Sequence, residues 1–153
     1  MKNYFTRLFK YNEWANNRVL EIMLTDGFNE PSVLKLFSHI VAVQQLWMDR
    51  VLNNTNKIEV WPEYTLEGCI TLSKESSANW IKFVEMISED NLDKVISYVN
   101  TKGVAWSNSV EDILTQVISH SAYHRGQIAK KIREAGLNPP LTDFIEYART
   151  QKS

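Results

Sequence analysis

At 153 residues, 44% hydrophobic and 23% charged, the chain has the size and make-up of one globular domain able to bury a real core. Seventeen basic against eighteen acidic side chains leave a net charge of −1 with no block of one sign, so nothing resembles a nucleic-acid footprint. The single cysteine, Cys69, excludes an intrachain disulfide, the start at Met1–Arg7 lacks a signal peptide's apolar run, and no stretch approaches the ~20 apolar residues of a membrane span. A cytoplasmic location, without membrane or nucleic-acid partners, is the expectation.

Four segments carry helical periodicity. The first is predicted from about Tyr4 to Leu24, with Phe5, Leu8, Ala15, Val19 and Ile22 along one stripe and Asp26-Gly27 as its stop. The second opens at Pro31-Ser32, where proline suits the first helical turn, and runs to about Asn53 with Leu36, His39, Val43 and Leu46 in register. A polar stretch, Asn53–Lys57, then leads through Trp61-Pro62 into a third helix over about Thr65–Ser88. Its inward face reads Ile70, Ser77, Trp80, Ile81, Val84 and Ile87.

Between Asp93 and Ser107 the pattern changes. Val95-Ile96-Ser97-Tyr98-Val99 alternates, Asn100–Gly103 can turn, and Val104-Ala105-Trp106 can return, which predicts a small β-hairpin. In the fourth helix Ser109 is placed to N-cap and Glu111 and Asp112 occupy the first turn, where the helix dipole favours negative charge. Gly136 fits the position just past its end, and Pro139-Pro140 prevents continuation. The inward stripe is Ile113, Val117, His120, His124 and Ile128; the tail from Leu141 adds a short helical turn through Phe144, Ile145 and Tyr147. The sum is an all-α four-helix bundle with a small β-hairpin insert between helices 3 and 4, one domain over residues 1–153. The long connection from the second to the third helix and the insert point away from plain up-down-up-down order.

The chain has three histidines, and their placement carries the chemistry. His120 and His124 are four apart on one helical face, with Cβ atoms about 5–6 Å apart, and His39 lies on the inward stripe of another helix. Two imidazoles at that spacing can share a metal, and a third from a facing helix makes a His₃ set with an open position, the pattern of catalytic sites. The competing reading is three separately hydrogen-bonded core residues. Burying three imidazoles without partners is costly, and one divalent cation satisfies all three. Neutral imidazoles suit zinc, nickel, copper or iron.

Ser-Ala-Tyr between His120 and His124 supplies no glutamate base of the H-E-x-x-H kind, and the absence of Glu-x-x-His argues against a di-iron carboxylate bundle. Cys69 is the candidate for a fourth ligand that would close the site. Gln127, three residues after His124, falls near the metal-bearing face as a possible pocket contact, as does Asn12. Arg125 is rotated away, toward a surface or inter-helix ion pair. Gly126 reads as close helix packing at a subunit contact, and Trp14, Trp47, Trp61, Trp80 and Trp106 as core or pocket wall. Proton competition for imidazole predicts weaker metal binding below pH ~6.5.

The string Ser119-His120-Ser121-Ala122-Tyr123-His124-Arg125-Gly126-Gln127-Ile128, followed by Gly136 and Pro139–Asp143, resembles the C-terminal signature of the DinB/YfiT-like superfamily. Tyr11–Asn16 and Ser38-His39-Ile40 look like its first and second helices. The resemblance spans nearly the whole chain and implies a bundle, usually homodimeric, that holds a divalent metal, zinc or nickel first and iron or manganese next, on residues matching His39, His120 and His124. Characterised members include thiol-dependent S-transferases and isomerases that use small thiols such as bacillithiol or mycothiol. Two readings therefore stand: a metal-dependent thiol S-transferase acting on an electrophilic substrate, or a non-catalytic metal- or ligand-binding stress-response bundle. No catalytic residue is assigned.

Overall fold

A computed structural model describes residues 1–55 and 57–151; Asn56, within the polar stretch after the second helix, lies outside the described residues. Five α-helices and one two-stranded sheet make up the fold: α1 (Lys2–Met23), α2 (Pro31–Val51), α3 (Leu66–Met86), β1 (Val95–Val99), β2 (Ala105–Ser109), α4 (Val110–Glu134) and α5 (Phe144–Thr150). A three-residue 3₁₀ turn, Glu89–Asn91, precedes β1. No helix among the described residues is long and apolar enough to cross a membrane.

The predicted signals form the helix ends. Pro31 opens α2, where its missing N–H costs nothing. The Thr65 hydroxyl accepts from the Gly68 amide at 3.0 Å to start α3. At α4, Ser109 Oγ accepts from the Asp112 N–H at 3.1 Å while the Asp112 carboxylate accepts from the Ser109 N–H at 3.3 Å, a reciprocal capping box. Past its end, Gly136 takes a left-handed φ of 78°. The antiparallel hairpin pairs Val95 with Ser109 and Tyr98 with Trp106, so its second strand runs two residues beyond the predicted Ser107 and leads straight into α4.

Packing departs from simple succession. α2 lies against α4 and α1 against α3, with α2–α3 and α1–α4 contacts closing the ring, so α1 sits diagonal to α2 and α3 diagonal to α4. One core cluster centres on Trp80, stacked on Phe9 with ring centroids 5.2 Å apart, and on Phe5, Ile113 and Val117. The other gathers Val19, Val33, Phe37, Ile40, Ile128 and Ile132. α5 closes one end: Tyr11 donates its hydroxyl to the Thr142 carbonyl at 2.9 Å and packs on Phe144 and Tyr147.

Two inward faces are wider than their predicted stripes. α2 is buried at every residue from Phe37 to Gln44, because α3, α4 and the 57–64 segment surround it, whereas Leu36 and Leu46 are only partly covered. α4 meets both α2 and α1, and its buried set therefore adds Leu114, Ile118, Ser121 and Arg125. The tryptophans divide. Trp80 is core and Trp14 and Trp47 are partly buried, but Trp106, the cross-strand partner of Tyr98, is exposed.

A buried polar group ties three helices together. Gln44 Nε2 donates to Ser121 Oγ at 3.1 Å, Ser76 Oγ donates to Gln44 Oε1 at 2.9 Å, and Trp80 Nε1 donates to the Gln44 carbonyl at 3.2 Å. Removing the hydroxyl that caps α4 affects only a helix end: Ser109→Ala is expected to lower the urea-unfolding free energy by about 0.5–2 kcal/mol. An unchanged unfolding midpoint would show that the hairpin strand, not the cap, starts the helix.

Candidate metal centre

Helix geometry brings the three histidines together. The α2–α4 packing sets His39 opposite His120 and His124, and one ring nitrogen from each lies within 4.8 Å of the other two. His39 Nε2 is 3.1 Å from His120 Nε2. Two nitrogens each bonded to one metal at about 2.0–2.1 Å, at angles between octahedral and tetrahedral, stand roughly 2.9–3.4 Å apart, so this separation suits a shared ion. His39 and His124 are buried, 6% and 7% exposed, and His120 is partly exposed.

The outer nitrogens are fixed by oxygen acceptors. His39 Nδ1 donates to the Val60 carbonyl, and His124 Nδ1 donates to Gln127 Oε1 at 2.7 Å. A carbonyl oxygen can only accept, so each Nδ1 carries the proton and each Nε2 keeps its lone pair for a ligand. Oxygen acceptors behind metal-binding imidazoles fix the tautomer and ring orientation and raise ligand basicity. At 3.1 Å the two Nε2 atoms are held together by a proton carried on His120 Nε2 or by a shared cation. A second proton on this ring is disfavoured: burial, together with His124 and His39, holds the His120 pKa down to about 4. Burial also lowers His39, against the raising effect of its bond to Val60. Proton competition at these two rings is therefore displaced below the pH ~6.5 expected from an unperturbed imidazole.

The segment joining α2 to α3 forms a cover. Trp61 lies flat on His39, ring centroids 3.7 Å apart and planes 4° from parallel, and meets His124 edge-on at 6.0 Å. It remains 44% exposed. Sequence periodicity missed this role, because Val60 acts through its backbone carbonyl and Trp61 lies outside any helix. The Trp61-Pro62 pair in a polar connection is the signal that marks it.

The other candidates fall as follows. Gln127 holds His124. Asn12 is buried in the α1–α4 seam, where its Oδ1 accepts from Arg125 Nη1 at 2.6 Å. Arg125 is itself 2% exposed: Nη1 also donates to Asn16 Oδ1 at 2.8 Å and Nη2 to the Tyr11 hydroxyl at 3.3 Å. The expected ion pair does not form; neutral oxygens and the face of Tyr11 take the guanidinium instead. Cys69 is buried with Sγ 3.4 Å from Ser38 Oγ and is not part of the histidine group, leaving three ligands among the described residues. Gly126 is exposed, and a Cβ there would meet nothing within 4 Å in its own chain.

The chain is a small helical-bundle protein with three converging imidazoles, and it belongs to the DinB family, whose model matches residues 1–153. Among its relatives, Protein DinB of Bacillus subtilis (strain 168) is 24% identical over the full length of both chains. Uncharacterized protein YizA of the same organism is 24% identical over 91% of this chain and 92% of its own.

Two measurements separate these roles. Gln127→Leu is expected to weaken metal affinity about 10–100-fold by freeing His124, while Asn12→Ala leaves affinity unchanged and costs about 1.5–3 kcal/mol of stability by stripping an acceptor from Arg125. Equal affinity in wild type and Gln127→Leu would remove Gln127 from the site. For the metal-free protein, His120 binds protons more weakly folded than unfolded, so its contribution is complete above pH 6.5 and is lost as pH falls toward about 4. Urea midpoints across that window should fall in wild type and fall less steeply in His120→Gln; identical slopes would contradict the burial of this ring.

Proposed function

We propose that the chain is a metal-dependent thiol S-transferase in which His39, His120 and His124 hold a divalent cation, zinc or nickel first among the candidates. The convergence of one ring nitrogen from each of three histidines, with two of the rings fixed by oxygen acceptors behind them, carries this reading. Three protein ligands leave a position for a fourth group. A divalent cation, when bound, supplies the charge that makes a coordinating thiol a nucleophile at neutral pH.

A thiol suits the surroundings better than water does. Among the described residues no carboxylate joins the histidine group to relay a proton, and Trp61 covers one side with an aromatic surface that favours a polarizable sulfur. His120, the partly exposed ligand, marks the solvent side, where the thiol proton can leave to water. The sulfur's electron pair then forms the new bond to an electrophilic carbon, and the leaving group departs with the pair from the bond that breaks. Trp61 and Gln127 position the site without touching the proton balance.

The test begins with metal content by mass spectrometry on untagged protein, wild type beside His120→Ala. Metal in wild type and none in the variant, with helix content retained, is expected. Cobalt-substituted protein should then develop a thiolate charge-transfer band when a small thiol is added. Failure to bind added zinc or nickel would make the histidines ordinary core residues. Metal without the band would leave the non-catalytic binding bundle as the function.

A further inference from the structure

Asp49 is the only buried carboxylate among the described residues, at 3% exposed. Its Oδ1 accepts from Gln45 Nε2 at 3.1 Å and Asn54 Nδ2 at 3.2 Å. Its Oδ2 has no partner, and none of the ion pairs among the described residues involves it. An ionised carboxylate offers about four acceptor positions, and burial of such a charge is costly unless it is paired. Half of this one is provided for by two neutral amides, and the other half is left over.

The residue that carries this oxygen belongs to the wall of a cleft. Asp49, Gln45 and Asn54 line a cavity of about 560 Å³ between the C-terminal halves of α2 and α3. That volume is within the range of small-molecule sites, about 300–1,000 Å³. The rest of the lining is largely apolar: Met48, Leu52, Phe83, Met86 and Ile87. Leu52 and Met86 are 52% and 73% exposed at the rim among the described residues, an apolar edge to the cleft. Lys82 is the one cation on the wall; it lies on the exposed side of α3 and makes no ion pair with Asp49. Along α2, Asp49 is ten residues beyond His39, about 15 Å at 1.5 Å per residue, so the cleft is separate from the histidine group.

We propose that this cleft is a second binding site, for a small organic cation: a primary ammonium seated on Asp49 with a hydrocarbon or aromatic body along Phe83 and Met86. The argument is charge complementarity. The leftover group is an anionic acceptor at the base of an apolar cleft, and a charge-assisted N–H donor is what satisfies it. The methionines supply an adaptable wall for the body. The oxygen itself is closed to bulk solvent, so only a head group narrower than a helix can be admitted to it, which favours a small molecule over a folded partner.

Calorimetry on the intact chain with 4-phenylbutylamine and 4-phenylbutan-1-ol tests the idea, since the two share a body and differ in the charged head. The amine is expected to bind at one per chain and at least about tenfold more tightly than the alcohol, the difference of about 1.4 kcal/mol set by one charge-assisted bond. Asp49→Asn, which keeps an Oδ1 acceptor, should remove that preference without changing metal content. Should that variant unfold, Met86→Lys at the exposed rim is expected to weaken the amine about tenfold through like charge while leaving the buried carboxylate untouched. Equal binding of amine and alcohol, no binding of either at millimolar concentration, or a preference that survives in Asp49→Asn would overturn the proposal. Concentration-dependent self-association that the amine does not compete would assign the cleft to a second copy and overturn it equally.

Discussion

Gln44 fixes the register of the bundle. Its amide and carbonyl engage Ser121 on α4 and Ser76 and Trp80 on α3, all inside the core. An unsatisfied buried polar group costs about 1–3 kcal/mol, so sliding or rotating α2 would break several partnerships at once. Ser121 is next to His120 in sequence, and Gln44 is five residues after His39. The bond between them therefore sets which part of α2 faces which part of α4. Apolar packing alone tolerates neighbouring registers; the amide selects the one in which the imidazoles meet.

Much of this was legible in the sequence. Helix ends were written in Pro31, Ser109 and Gly136, the hairpin in the alternation after Val95, and the His120–His124 pair in its spacing. What escaped is of one kind. Periodicity finds the side of a helix that faces one neighbour, but α2 and α4 each face two or more, so the second seam of α4, through Ser121 and Arg125, fell outside the predicted stripe. Arg125 was misread because buried arginines are expected beside acids. Here Asn12, Asn16 and Tyr11 supply oxygens instead, and no local pattern signals that arrangement from residues more than a hundred positions away.

The interior keeps its charges apart and handles each differently. Arg125 is dispersed over neutral oxygens and an aromatic face, with burial pulling its pKa below the usual arginine value and Tyr11 opposing the drop. Burial holds His39 and His120 toward the neutral form, which is the state a metal requires. Asp49 alone retains an oxygen with no partner.

The bond from His39 to the Val60 carbonyl changes how the connection between α2 and α3 should be regarded. Chain entropy penalises a longer loop only weakly, about 0.6 kcal/mol for each doubling, so an insertion ahead of Val60 would leave folding nearly unaffected. It would, however, move the carbonyl off the ring and carry Trp61 away from the imidazole it covers. Variation in the length of this connection thus acts as a tuning element for ligand strength, while the scaffold remains indifferent to it.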